Sequence, residues 1–143
     1  MAKLVTMLRV KNGMLFLPEW LERMSALSDE CVVVDNGSTD GTVEMLRSHP
    51  LVVSLDCTEG FHEGRDKQLA YQRARERRAE WILFLDVDEI FEQRLRRADL
   101  DRMMSSREVS RYFFRRFEIV GDGTTFEAGL QRLWAASWPS RVL

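Results

Sequence analysis

Residues 81–85, Trp-Ile-Leu-Phe-Leu, form an unbroken apolar run that stops against Asp86, Val87, Asp88 and Glu89. Too short to cross a membrane and bounded by charge, the run predicts a central parallel strand buried on both faces. Three similar segments precede it. Lys3–Lys11 is apolar-rich and ends at Asn12-Gly13, and Cys31–Asp35 and Leu51–Leu55 have the same β-branched character. Between them the spacing turns helical: Leu17, Trp20, Leu21, Met24 and Leu27 fall on one helix face, with Pro18 in the first turns, where its missing N–H is tolerated. Asp40 is placed to cap a helix carrying Val43 and Leu46, and a further helix is expected over about Asp66–Glu80. This βαβαβαβ order predicts an α/β fold with a doubly wound, mostly parallel sheet and flanking helices.

After Glu89 the pattern changes. A helix is expected from Phe91 to about Ser105, its arginine-rich face (Arg94, Arg96, Arg97, Arg102) turned to solvent. Arg111–Val120 reads as a strand, Gly121-Asp122-Gly123 as a tight hairpin turn, and Leu130–Ala136 as another strand, a short antiparallel C-terminal extension of the sheet. With 143 residues, no internal repeat and no linker, the chain is expected to be one domain, 1–143, with 1–90 as one half and 91–143 as a smaller second part.

The four expected strands run into polar residues: Asn12, Asp35, Asp56 and Asp86. In an open α/β sheet, ligands gather where parallel strands end, so these residues outline a polar crevice. If the chain stayed extended through Asp86 and Asp88, their side chains would point the same way, about 6–7 Å apart, and both could face one cation or one polyphosphate.

Composition narrows the partners. The formal net charge of -2 argues against attraction of the whole molecule to nucleic acid, so anion binding must be local. Cys31 and Cys57 lie in β-like runs without zinc-site spacing or a Cys-x-x-Cys, and read as reduced thiols. The N-terminus shows no basic segment followed by a long apolar stretch, and no transmembrane segment is visible, so a soluble, cytoplasmic protein is expected.

The stretch Val32-Val-Val-Asp35-Asn-Gly-Ser-Thr-Asp40-Gly-Thr42, followed by Phe84-Leu-Asp86-Val-Asp88-Glu89, resembles the family 2 glycosyltransferases of the GT-A (Rossmann-like) fold. The likeness starts at Met7–Asn12 and continues through Leu17–Leu21 and Gly64-Arg65-Asp66 to Glu89. It implies a nucleotide-diphosphate sugar as donor, with Asp35 contacting base or ribose and Asp88 holding Mn²⁺ or Mg²⁺ against the diphosphate, a DXD motif in which Asp86 is a ribose or metal partner. It also implies that Arg65, in the place of the family's Arg-Asn, reaches base or phosphates, and that Arg9 and Asn12 line the nucleotide pocket. A cation held there would stabilise the negative charge that grows on the leaving diphosphate.

Each assignment has a plainer competitor. Asp35 entering Asn-Gly-Ser can make an Asx turn with its own backbone, Arg65 can pair with Asp66 at the surface, Glu89 can support a helix start, Asp40 reads better as a cap than a ligand, and Trp81 as core. The general base that an inverting enzyme needs is unassigned, Glu118, Asp122 and Glu127 being the carboxylates that remain. The resulting expectation is a metal-dependent glycosyltransferase in cell-surface glycan or lipopolysaccharide synthesis, peripheral to the inner membrane face, with a glycan, lipid or protein acceptor. The chain is short for the family and reads as truncated on its C-terminal side, so the acceptor side is expected to be open unless a partner chain or a second copy completes it. The alternative is a nucleotide or nucleotide-sugar binding protein without transfer. A phosphatase with a nucleophilic aspartate is set aside, because Ile90 stands where a hydroxyl would be needed.

Overall fold

A computed structural model describes residues 2–117 and, for the backbone, residues 119–120, 125–126 and 133–137. The first half alternates as the pattern predicts: β1 (Leu4–Val10), α1 (Leu17–Ser25), β2 (Glu30–Asp35), α2 (Thr42–Ser48), β3 (Val52–Cys57), α3 (Glu63–Glu76) and β4 (Trp81–Phe84). α4 (Arg97–Met104), β5 (Arg111–Arg115), β6 (Ile119–Val120), β7 (Thr125–Phe126) and β8 (Leu133–Ser137) follow. The main sheet has the order β3-β2-β1-β4-β8-β5. β1 pairs in parallel with both β2 and β4, and β2 in parallel with β3. β8 enters antiparallel between β4 and β5, so β5 runs in the direction of β4. β6 and β7 form a separate antiparallel pair.

Burial explains the sequence pattern. One face of the sheet packs Leu8, Val10, Val33 and Leu83 against α1, α2 and α4 through Leu17, Trp20, Leu46 and Leu100. The other face packs Val5, Met7, Val32, Val34 and Ile82 under α3, through Ala70 and Ala74. Strands covered on both sides have no polar face to show, which is why β2 and β4 read as continuous apolar runs.

Several boundaries differ from the periodicity. α3 starts three residues earlier than expected, because the His62 ring Nδ1 accepts the Arg65 backbone N–H at 3.1 Å and caps the helix. It also ends earlier: Arg78 takes a left-handed conformation (φ 57°), while its N–H and that of Ala79 close back on the carbonyls of Arg75 and Ala74, the Schellman arrangement. The expected helix from Phe91 contracts to Arg97–Met104. The Arg23 guanidinium of α1 donates to the carbonyl oxygens of Phe91, Glu92 and Leu95, taking up acceptors that a helix through these residues would use for itself. The strand expected over Arg111–Val120 divides into β5 and β6, and the Gly121-Asp122-Gly123 turn lies outside the described residues. The two cysteines are free; Cys31 is buried, which pushes its thiol pKa up, and Cys57 is exposed.

A glycine at the C′ position would relieve the left-handed Arg78, which is exposed. Arg78→Gly is expected to raise stability by about 0.5–1 kcal/mol, read as an upward shift of the urea midpoint with unchanged slope.

Candidate functional site

The strand order reverses direction between β1 and β4, and in a doubly wound sheet the crevice opens outside the carboxyl ends of such a pair. Four loops meet there: residues 11–16 after β1, 36–41 after β2, 58–62 after β3 and 85–90 after β4.

The first two loops are tied together. Asn12, itself left-handed (φ 52°), accepts the Thr39 N–H on its side-chain oxygen at 2.8 Å, and its own N–H donates to the Ser38 hydroxyl at 2.7 Å. Gly13 donates to Thr42 Oγ1, and a Cβ at Gly13 would lie 2.6 Å from Val10 Cγ2, so only glycine fits the turn. Asp40 accepts from Met14 N–H, Thr42 N–H and the Thr42 hydroxyl. It therefore caps α2 from one residue outside the formal cap, Gly41, and these hydrogen bonds, that of Thr42 first, lower its pKa.

Asp35 is 1% exposed and closes the Asx turn that its sequence context allows. One oxygen accepts the N–H groups of Gly37 (3.0 Å) and Ser38 (2.9 Å), and the other accepts the Ser38 hydroxyl. In this structure Asp35 and Asn12 therefore shape the loop after β2, and their polar atoms bond within it.

The third loop is held by a buried pair that the sequence reading did not single out. The Asn36 amide donates to Asp66 Oδ2 (2.9 Å), to Thr58 Oγ1 and to the Gly60 carbonyl. Asp66 is fully buried; it also accepts the His62 N–H and is paired with Arg65 at 2.8 Å. Burial pushes the Asp66 pKa up, but the His62 N–H, Arg65 and Asn36 outweigh it, and the carboxyl sits below its ordinary value. The Arg65–Asp66 pair is thus half inside: Arg65 stays largely exposed and donates to the Gly60 carbonyl and Thr58 hydroxyl. The signal in the sequence was an aspartate four residues after a capping histidine, too local to reveal its partner thirty residues away.

The fourth loop carries the two aspartates. β4 ends at Phe84, and Glu89 N–H donates to the Asp86 carbonyl (3.1 Å), so residues 86–89 form a turn. This corrects the extended-strand geometry expected for Asp86 and Asp88: the alternation that would align them stops two residues too soon. The Trp20 indole N–H donates to the Asp86 carbonyl at 3.0 Å and fixes the turn on α1. Glu89 accepts the Asp86 N–H and pairs with Arg116 at 2.7 Å, so it braces the turn. Asp86 is half-buried and Asp88 exposed. Burial raises the Asp86 pKa first, with the Asp88 charge adding to it; Arg9, Lys67 and Arg116 oppose the rise without cancelling it.

Those cations come from β1, α3 and the segment after β5. The β1–β4 register pairs Met7 with Phe84, and its continuation brings Arg9 towards Asp86. The Arg9 guanidinium lies 4.3 Å from the centroid of the exposed Phe61 ring, and its Nη1 is buried without a hydrogen-bond acceptor. Lys67 of α3 lies 5.2 Å from the Phe84 ring centroid and pairs with Glu63. Asp56, expected at the crevice, is instead held by Arg73 through two hydrogen bonds of 2.8 Å. Glu118, Asp122 and Glu127 lie outside the described residues. Among the described residues no three His, Cys, Asp or Glu side chains form a metal cluster, and no helix is long and apolar enough to cross a membrane.

A family model described as Glycosyl transferase family 2 matches residues 10–125. An uncharacterized protein of Mycobacterium tuberculosis and one of Mycobacterium bovis are each 28% identical over 98 residues, covering 63% of this chain and 24% of theirs. The chain thus spans about a quarter of the length of these curated relatives. Among solved structures, residues 1–349 of S. aureus TarS superpose with a TM-score of 0.54 and 23% identity over 71% of this chain and 31% of that one. A 4-diphosphocytidyl-2C-methyl-D-erythritol synthase superposes with a TM-score of 0.53 and 16% identity over 96% of this chain and 76% of that one. Both likenesses show the fold.

Removing the buried carboxylate would strand three donors at once. Asp66→Ala is expected to cost about 2–3 kcal/mol. Because the Asp66 pKa is lowered in the folded state, its contribution is present above the unfolded carboxylate value of about 4 and is lost as pH falls through the folded value. The difference between wild type and variant in urea titrations should therefore shrink on acidification; a constant difference would remove Asp66 from this role.

Proposed function

The chain belongs to the glycosyl transferase family 2, and from that premise we propose that the β1–β4 crevice binds a nucleotide-diphosphate sugar with a divalent cation and serves sugar transfer from it. The observation that carries the reading is the charge balance around the Asp86 turn. Glu63, Asp86, Asp88 and Glu89 are met by Arg9, Lys67 and Arg116, which leaves one negative charge uncompensated. A diphosphate is repelled by such a site and attracted once a divalent cation joins it.

The residues fit that group. Mg²⁺ and Mn²⁺ take hard oxygen ligands and are commonly held by one or two carboxylates, with phosphate oxygens and water completing the shell. Asp88, exposed at the corner of the turn, would be the direct ligand and Asp86 its companion. When bound, the cation supplies charge stabilisation to the leaving diphosphate. Arg9 supports phosphate binding through the same fit: its buried Nη1–H lacks an acceptor, and a diphosphate oxygen would provide one. Arg65, held in position by Asp66, offers a second guanidinium at the rim. Asn12 and Asp35 act in this reading by presenting the loop of residues 36–41 to the nucleoside.

For the general base we propose Glu118 among the three remaining carboxylates, because Arg116, two residues before it, pairs with Glu89 of the metal turn. Cell-surface glycan assembly as the pathway, and an acceptor completed by a partner chain, stay within this proposal. The one-domain organisation over 1–143 does so too.

Isothermal calorimetry with UDP, GDP and ADP in Mn²⁺ and in EDTA tests the donor site. Binding is expected to be at least about tenfold tighter with Mn²⁺; equal affinity in both would sink the metal role. Asp88→Ala should lower donor turnover by about 10²-fold or more, as removal of leaving-group stabilisation does elsewhere. Glu118→Gln should lose transfer while keeping nucleotide affinity. Binding by the wild type with no turnover of any donor would select the nucleotide-binding alternative.

Burial raises the Asp86 pKa in the folded state. A carboxyl harder to ionise when folded than when unfolded opposes folding above its unfolded value. Asp86→Asn should therefore raise the melting temperature near pH 7, the gain vanishing as pH falls towards about 4, while cation-linked nucleotide binding is lost. The same shift means that wild-type Mn²⁺-linked affinity should decline on acidification before ordinary carboxylates protonate. A melting temperature lowered by Asp86→Asn would contradict this assignment.

A further inference from the structure

β5 closes one side of the six-stranded sheet and presents an unusual outward face. Tyr112 and Phe114 turn inward against the core, while Arg111, Phe113 and Arg115 alternate with them and are exposed. Phe117 continues the exposed side beyond the strand; Phe113 is 55% and Phe117 49% exposed. The Arg111 guanidinium lies 5.9 Å from the Phe113 ring centroid and that of Arg115 6.0 Å from the Phe117 ring centroid. No acidic residue occurs between 111 and 117. This is a local cationic and aromatic stripe on a chain whose formal net charge is -2.

The stripe leads to the crevice. β5 runs in the direction of β4, so its last residues reach the edge where the nucleotide loops gather, and the Arg116–Glu89 pair fixes them there. The other large exposed apolar side chains among the described residues, Leu15, Phe16, Phe61 and Ile90, stand in the loops after β1, β3 and β4 on that same edge. Aromatic rings beside arginines suit the boundary between lipid headgroups and acyl chains, where the ring enters and the guanidinium meets phosphate.

We propose that the outward face of β5, Arg111, Phe113, Arg115 and Phe117, docks on a bilayer surface containing anionic lipid and holds the crevice edge against it. Charge complementarity selects this occupant: the arginines face outward with no carboxylate among them in the strand, and anionic headgroups supply the missing charge. The aliphatic Leu15 and Ile90 on the same edge, which can enter the acyl boundary and offer no ring for a base to stack on, favour a bilayer over nucleic acid.

Co-sedimentation of the full chain with vesicles, in the absence of nucleotide, tests the surface. Vesicles of phosphatidylcholine with phosphatidylglycerol should bind the chain, those of phosphatidylcholine alone should bind it far less, and added salt should weaken the association. Each arginine near an anionic surface contributes about fivefold, so Arg111→Gln with Arg115→Gln should weaken binding about 30-fold, and Phe113→Ser about 10-fold. The double Arg→Lys variant should keep most of the affinity, which separates lost charge from lost fold. The proposal is overturned by no binding to anionic vesicles, by equal binding to neutral ones, or by binding that the Gln and Ser variants leave unchanged. It is equally overturned if the chain prefers single-stranded RNA, or if Phe113→Ser dissolves a dimer seen by ultracentrifugation while vesicles capture nothing. Nucleotide affinity should be the same in all variants. The donor-site reading and this one can therefore fail separately.

Discussion

β1 is paired on both edges and buried on both faces, and the rest of the molecule follows from that constraint. A strand with parallel neighbours on either side sends the chain away in opposite directions, to β2 over one face and back from β3 to β4 over the other. Helices α1 and α2 must then cover one face and α3 the other. The loops after β1, β2, β3 and β4 are left together at one edge, with a gap between the ends of β1 and β4 where no crossover fills the space. The crevice is a consequence of sheet topology; around it Asp88 is exposed and Asp86 half-buried, while Asp35, Asn36 and Asp66 are buried and satisfied by hydrogen bonds.

Within that gap the electrostatics are balanced against stability. Asp86 is drawn half inside the protein beside a second aspartate, which makes its ionised form costly. Three cations from β1, α3 and the segment after β5 recover part of that cost and leave the remainder. Elsewhere the same chemistry is resolved in favour of the fold: Asp56 with Arg73, Asp29 with Arg97, and Glu30 with Arg77 and Lys3, where the paired cations hold the Glu30 carboxyl down at about 2. Incomplete compensation sets the Asp86 turn apart from these pairs.

Positioning of the site depends on buried polar contacts as much as on apolar packing. The Trp20 indole holds the Asp86 carbonyl from α1, and the Asn36–Asp66 pair ties the end of β2 to the first turn of α3. The alternation of strand and helix was legible because buried parallel strands and amphipathic helices leave different periods in the chain, and the paired motifs around Asp35 and Asp86 were legible because they sit at strand ends. Asn36 and Asp66 were not, since a buried hydrogen bond between residues thirty apart has no local pattern. Arg23 likewise looked like an ordinary surface arginine of α1, yet its reach to three carbonyls shortens the helix expected from Phe91.

Taken by itself, the sequence determined the α/β class, the parallel character of the first four strands, the carboxyl-edge location of the crevice and the family, because all of these rest on side-chain periodicity and on residue types at strand ends. Tertiary structure alone decided that Asn36 reaches Asp66, that Asp86 and Asp88 stand in a turn, and that β8 inserts between β4 and β5. It also decided which cations answer which carboxylates. Such outcomes depend on which groups lose water together, and that is settled by distance in the folded chain, which local composition does not encode.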